Sequence, residues 1–246
     1  MLILNTLGTM RELGLNAMAQ ALELQLQQTS SEQLTFEQRI GMLLDAEASA
    51  RSSRKIERLR KQAHFKFAQA VLEDVDFAPR RKLDRSQVLT LGACDWIKRR
   101  QNLIITGATG TGKSYLGCAF GNQACRLGFS SYFITATALY EQLSNALLDR
   151  ALPKLRRQLI NTKLLIIDDF GLENVPAELE PILLEIVDLQ SANGSLLLTS
   201  QFPCEHWSVK FTDPTIAEAT LDRIVHRAHV LELHGESLRK LKGKNI

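Results

Sequence analysis

The sequence predicts an α/β fold: a parallel sheet flanked by helices, preceded by a small all-α N-terminal domain. Three observations carry this prediction. Beyond about residue 70, short apolar runs alternate with amphipathic stretches at the spacing of strand–helix units, as in a sheet covered by helices on both faces. The apolar runs are continuous, as strands buried on both faces require. Before residue 70, apolar residues such as Met10, Leu13, Ala17, Ala21 and Leu24 recur at three- and four-residue steps, the period of a helix face. The expected domains are residues 1–70, helical, and residues 71–246, α/β.

In the N-terminal part, Met10, Leu13, Ala17, Ala21 and Leu24 mark one helix face, which Gly14-Leu15-Asn16 breaks into two short helices. Thr29-Ser30-Ser31 reads as a turn. Thr35 and Gln38 have the spacing of a capping box, in which each side chain bonds the other residue's amide. Phe36, Ile40, Leu43, Leu44 and Ala48 form the apolar stripe of the helix that follows; Ile56, Leu59 and Ala63 extend it while the opposite face turns basic. In the second part, strands are expected at 103–106, 131–135, 164–168, 195–200 and 229–233. Helices are expected near 113–127, 137–148, 153–161, 178–192 and 216–226.

The first strand runs into Gly107-Ala108-Thr109-Gly110-Thr111-Gly112-Lys113-Ser114, a complete G-x-x-x-x-G-K-[ST] phosphate loop. A strand, a Gly-rich turn and a helix start in that order direct successive backbone N–H groups at one point, which suits an anion. The motif predicts a bound nucleoside triphosphate. Residues Gly107 to Ser114 and Tyr115 would contact it, Lys113 would reach the β- and γ-phosphates, and the Ser114 hydroxyl would ligate Mg²⁺. About 50 residues on, Leu164-Leu165-Ile166-Ile167 ends in Asp168-Asp169. A buried parallel strand delivers its last residue to the crevice at the carboxyl edge of the sheet. Asp168 is expected to hold Mg²⁺ beside Ser114, and Asp169 to polarise an attacking water. The 195–200 strand ends in Thr199-Ser200-Gln201, where Thr199 or Ser200 would point at the γ-phosphate or the water. Arg223 and Arg227 flank the last helix end. Either could serve a neighbouring subunit's γ-phosphate or a surface salt bridge.

Bulk composition bounds the partners. Hydrophobic content is 45% and charged content 23%, with no apolar run long enough to span a bilayer. Cys94, Cys118, Cys125 and Cys204 lack C-x-x-C spacing and read as reduced, mostly buried thiols, which favours a cytoplasmic location with no membrane contact. Net charge is only +3, but the basic residues cluster. Seven Lys/Arg between Arg51 and Lys66 face one acid, and seven more between Pro79 and Arg100 face two. Such runs favour a polyanionic partner or a solvated helix face.

Taken together, the phosphate loop, Leu-Leu-Ile-Ile-Asp-Asp-Phe-Gly, Thr-Ser-Gln and Leu-Asp-Arg-Ile-Val-His-Arg resemble the IstB family of AAA+ ATPases, helpers of insertion-sequence transposition. Residues 13–19 and 34–39 extend the likeness into the helical part. DnaC-type helicase loaders are related. The resemblance implies an AAA+ sheet of order 5-1-4-3-2 and ATP with Mg²⁺ held between subunits of a multimer. It also implies assembly on double-stranded DNA without sequence preference, and help to a transposase in target selection. Ser200 matches the sensor-1 position and Arg223 the arginine-finger region, with Arg227 second. The implied catalytic set is thus Lys113, Asp169, Ser200 and Arg223. Asp169 stands where Glu is usual, one methylene shorter, which implies that the water comes closer or that hydrolysis is slow. Only about 20 residues follow Arg223, too few for a full C-terminal lid, and Arg239 is the residue available to replace the arginine such a lid carries. A replicative helicase loader would share the core and favour single strands. A stand-alone NTPase would leave the basic runs unexplained.

Overall fold

A computed structural model describes residues 2–28, 33–235 and 237. The turn expected at 29–31 and Arg239 lie outside them. The chain divides into two compact units, Met1–Arg58 and Leu59–Ile246. Residues 59–70, assigned from sequence to the helical domain, thus group with the α/β unit.

In the first unit, α1 (Leu2–Glu12) and α2 (Asn16–Gln27) flank the expected break, and α3 begins at Phe36 and runs to Gln62. The capping box forms: Thr35 N donates to Gln38 Oε1 at 2.9 Å and Gln38 N to Thr35 Oγ1 at 3.3 Å. The expected stripe on α3 is only partly buried. Leu43 is covered, but Phe36, Leu44 and Ala48 face solvent. The inward positions on this stretch are Leu43 and Glu47, four residues apart on one face. Glu47 is buried for a reason. The N-cap of α2 is Leu15, which offers no side-chain acceptor. Glu47 Oε2 supplies it, accepting from Ala17 N at 3.0 Å and Met18 N at 3.2 Å. Arg51 and Arg54 bond Glu47 Oε1 at 2.9 and 3.2 Å, and the Arg51 hydrogen bond lowers the pKa of this carboxyl.

The second unit is built on a five-stranded parallel sheet of order β2-β3-β4-β1-β5, which read from the other edge is 5-1-4-3-2, as expected. Its strands are β1 (Asn102–Gly107), β2 (Ser131–Thr135), β3 (Leu164–Asp168), β4 (Ser195–Ser200) and β5 (Ala228–Leu233), each within a residue of the expected bounds. The helices are α6 (Lys113–Arg126), α7 (Ala136–Leu148), α8 (Leu152–Ile160), α9 (Glu180–Asn193) and α10 (Pro214–Val225). Short α4 (Arg85–Gly92) and α5 (Asp95–Lys98), which the periodicity did not show, precede β1.

Strand alternation sorts the core into two layers. Leu103, Ile105, Ile166 and Leu197 pack with α4, α5 and α6. Ile104, Leu165, Ile167, Leu196 and Leu198 pack with α7, α9 and α10. The α6 layer is close: a Cβ on Gly117 would come within 3.3 Å of both Leu197 and Thr199. Parallel pairing of β1 with β4 and of β4 with β3 brings the carboxyl ends of these three strands to one edge. There β1 feeds the phosphate loop. No helix among the described residues is long and apolar enough to cross a membrane.

Candidate functional site

The phosphate loop leaves the central strand at Gly107 and enters α6 at Lys113. Two glycines are forced. A Cβ on Gly107, at φ 145°, would run into the Leu233 carbonyl, and Gly112, the N-cap of α6, lies at φ 93°. The first intrahelical bond is Leu116 N to Gly112 O at 2.9 Å, so the amides before it have no acceptor within the helix. The loop is braced from within. Thr111 Oγ1 and Lys113 Nζ both donate to Ala108 O, at 2.8 and 2.9 Å. The buried Arg81 guanidinium donates to Thr111 O.

A cleft of about 300 Å³ opens on this loop. Thr109, Gly110, Gly112, Lys113, Ser114, Tyr115 and Asp169, all expected from the sequence, line it together with Gln201, Lys66 and Phe67. Gly107, Ala108 and Thr111 belong to the same loop but do not line the cleft. A larger groove along α10, about 850 Å³, shares no lining residue with it and holds none of the loop.

Asp168 closes β3 with no solvent exposure. Its Oδ1 accepts a 2.5 Å hydrogen bond from Thr199 Oγ1. Its Oδ2 is buried without a hydrogen-bond partner, and the nearest cation is Lys66 Nζ at 3.6 Å. A buried carboxylate oxygen left in this state has the hard-oxygen character that a divalent cation such as Mg²⁺ requires, as does the Ser114 hydroxyl on the cleft. Asp169 follows in the left-handed region at φ 58°, held there by its N–H bonding Thr199 Oγ1 at 3.0 Å, and it faces the cleft.

Ser200 does not point where the sequence suggested. Its Oγ donates to Phe170 O at 2.7 Å and accepts from Trp207 Nε1 at 3.1 Å, in full burial. The cause is strand parity. Ser200 shares a face with Leu196 and Leu198, which pack in the α9–α10 layer, whereas Thr199 shares the α6 face with Leu197. Thr199, named beside Ser200 from the sequence, is the hydroxyl at the two aspartates, and Gln201, bonded to Thr109 Oγ1 at 2.6 Å, is the amide at the cleft.

Neither arginine near the last helix lines the cleft of its own chain. Arg223 is engaged, with Nε 2.5 Å from Asp188 Oδ1 and Nη1 bonded to Ala219 O. Arg227 is exposed, and its guanidinium has no partner among the described residues. The basic runs are partly spent on structure as well. Arg51 and Arg54 serve Glu47, Arg60 bonds Asn122 and Ala68, Arg80 pairs with Asp76, and Lys98 with Asp95. Lys55, Arg58, Lys82, Arg99 and Arg100 are exposed.

Gln201, Lys66 and Phe67 are the cleft residues that sequence reasoning did not assign. Lys66 was visible only as the last member of a basic run, and nothing local marks it as a neighbour of Asp168.

An insertion sequence IS1162 ATP-binding protein of Pseudomonas fluorescens is 41% identical over 214 residues, covering 87% of this chain and 93% of that protein. An insertion sequence ATP-binding protein of Sinorhizobium fredii is 40% identical over 239 residues, 96% of each chain. Among solved structures, that of DnaI shares the fold with a TM-score of 0.58 and 22% identity, covering 67% of this chain and 91% of that one. The family described as IstB-like ATP binding protein matches residues 8–245, and the chain belongs to that family.

Proposed function

We propose that this protein is an ATPase that binds ATP with Mg²⁺, assembles on double-stranded DNA with nucleotide between subunits, and assists the transposase of its insertion sequence in choosing a target. The observation that carries the reading is the meeting of Lys113, Ser114 and Asp169 at one cleft, with Asp168 buried behind it, its Oδ2 without a hydrogen bond and 3.6 Å from the cleft residue Lys66. That the relatives are named as insertion-sequence ATP-binding proteins supports the biological setting.

In this reading the amides at the start of α6, which have no acceptor within the helix, receive phosphate oxygens. Lys113 exchanges the Ala108 carbonyl for the β- and γ-phosphates. Ser114 and Asp168 hold the metal, which when bound neutralises charge on the transferred phosphoryl group. Asp169 orients a water, and Thr199 fixes both aspartates. For the charge-stabilising arginine offered to a neighbour, Arg223 is the family's position and Arg227 the one without a partner here. The DNA contact falls to exposed basic residues such as Lys55 and Arg58 in the helical unit and Arg99 and Arg100 before β1. Phosphate neutralisation of this kind is indifferent to sequence and sensitive to salt.

The decisive experiment measures ATP turnover against protein and DNA concentration. Turnover should rise with both and vanish in Lys113→Ala. Turnover indifferent to both would mark a stand-alone NTPase and end this reading. Stronger binding to single strands than to duplex in competition would replace the transposition role with a helicase-loader role. Arg223→Ala and Arg227→Ala, each mixed with Lys113→Ala subunits, identify the finger: the variant rescued by mixing is the one that acts across the interface.

A further inference from the structure

Lys66 sits on a segment that is pinned at several points. Ala63 O accepts from Phe133 N at 2.8 Å, and His64 takes a left-handed φ of 55° with its ring edge-on to Tyr132. Asn122 Nδ2 donates to Ala70 O at 2.9 Å, and Arg60 ties Ala68 O to Asn122 Oδ1. The Phe67 ring lies 5.9 Å from that of Tyr115. The backbone around Lys66 is therefore fixed to β2 and α6. Its side chain is 40% exposed and keeps a flexible four-carbon stem.

That stem places an ammonium 3.6 Å from the oxygen of Asp168 that has no hydrogen bond. A fully buried carboxylate needs a countercharge, and two cations cannot share one oxygen at contact distance without repelling. We propose that Lys66 is a built-in substitute for the divalent cation: it neutralises Asp168 in the nucleotide-free protein and must leave Oδ2 when Mg²⁺ enters with the nucleotide. This rests on the reading of Asp168 as the metal-holding residue. Lys66 is then a positioning residue that sets how much Mg²⁺ the site demands.

The test titrates Mg²⁺ at a fixed concentration of a fluorescent ATP analogue, for the wild type, Lys66→Met and Lys66→Arg. Losing one half-exposed ion pair should lower the half-saturating Mg²⁺ of Lys66→Met by about fivefold, while Lys66→Arg stays near the wild type. Thermal unfolding without nucleotide gives a second readout. Lys66→Met should melt below the wild type, because Asp168 is left uncompensated, and Mg²⁺ alone should raise its Tm more than that of the wild type. An unchanged Mg²⁺ midpoint in Lys66→Met would overturn the proposal. So would weaker analogue binding at saturating Mg²⁺, which would make Lys66 a phosphate ligand instead. A wild type whose analogue binding ignores Mg²⁺ would overturn this proposal together with the metal role of Asp168.

Discussion

Replacing Thr199 by Val and Ser200 by Ala separates two neighbouring hydroxyls that the sequence could not tell apart. Val keeps the volume of Thr, so Thr199→Val opens no cavity and removes only hydrogen bonds. One is the 2.5 Å bond to the buried Asp168 carboxylate, of a class that contributes about 1.5–3 kcal/mol. The other is the 3.0 Å acceptor for Asp169 N, whose loss costs about 1 kcal/mol and frees Asp169 from its left-handed conformation. The expected loss of stability is about 2.5–4 kcal/mol, accompanied by loss of turnover because both aspartates lose their anchor. Ser200→Ala removes neutral bonds only, and Trp207 Nε1 keeps Phe202 O at 3.2 Å as a partner. Its expected cost is about 1–2 kcal/mol, with ATP affinity within about twofold of the wild type. Urea unfolding monitored by Trp fluorescence gives the stabilities, and analogue binding with turnover gives the function. If Ser200→Ala stays folded but loses turnover while Thr199→Val keeps it, the parity argument for β4 is wrong.

Two further outcomes are expected. Gly121→Ala, on the buried face of α6, should destabilise despite the better helix propensity of Ala, because its Cβ would collide with the Phe65 ring and lie 2.7 Å from Ile166 Cδ1. Overpacking of about 1–3 kcal/mol against a propensity gain of about 1 kcal/mol leaves a net loss readable in Tm, and a variant more stable than the wild type would refute the packing. Alkaline pH should also unfold the protein. Burial raises the Cys118 thiol from its ordinary value of 9.0 to about 11 and Cys94 to about 12. Folded pKa values above the unfolded ones mean that this stability is fully present below about pH 9 and is lost as pH rises towards 11–12. Unfolding midpoints measured from pH 8 to 11 should fall, and Cys94→Ala with Cys118→Ala should flatten the fall; an equal slope in that variant would remove these two thiols as its cause.

The fold and the phosphate loop can be read from residue order alone. Unbroken apolar runs such as Leu164-Leu165-Ile166-Ile167 leave no polar face, so each had to be a strand covered on both sides. The loop is legible because its geometry is local, with strand, glycines, lysine and helix start all contiguous. Asp168 and Asp169 were legible because a strand end has a fixed place in a parallel sheet. The remainder depends on how distant elements pack. Period two says that Thr199 and Ser200 point opposite ways, but which way depends on where α6 packs, and that phase is not written in β4 itself. Glu47 broke the expected stripe on α3 because its partners are amides of another helix, and Arg223 was taken by Asp188 on α9. Lys66 meets Asp168 through a segment far away in the chain. Local sequence encodes period and turn chemistry, whereas the pairing of charges across distant elements is settled only when the sheet and its helices close around them.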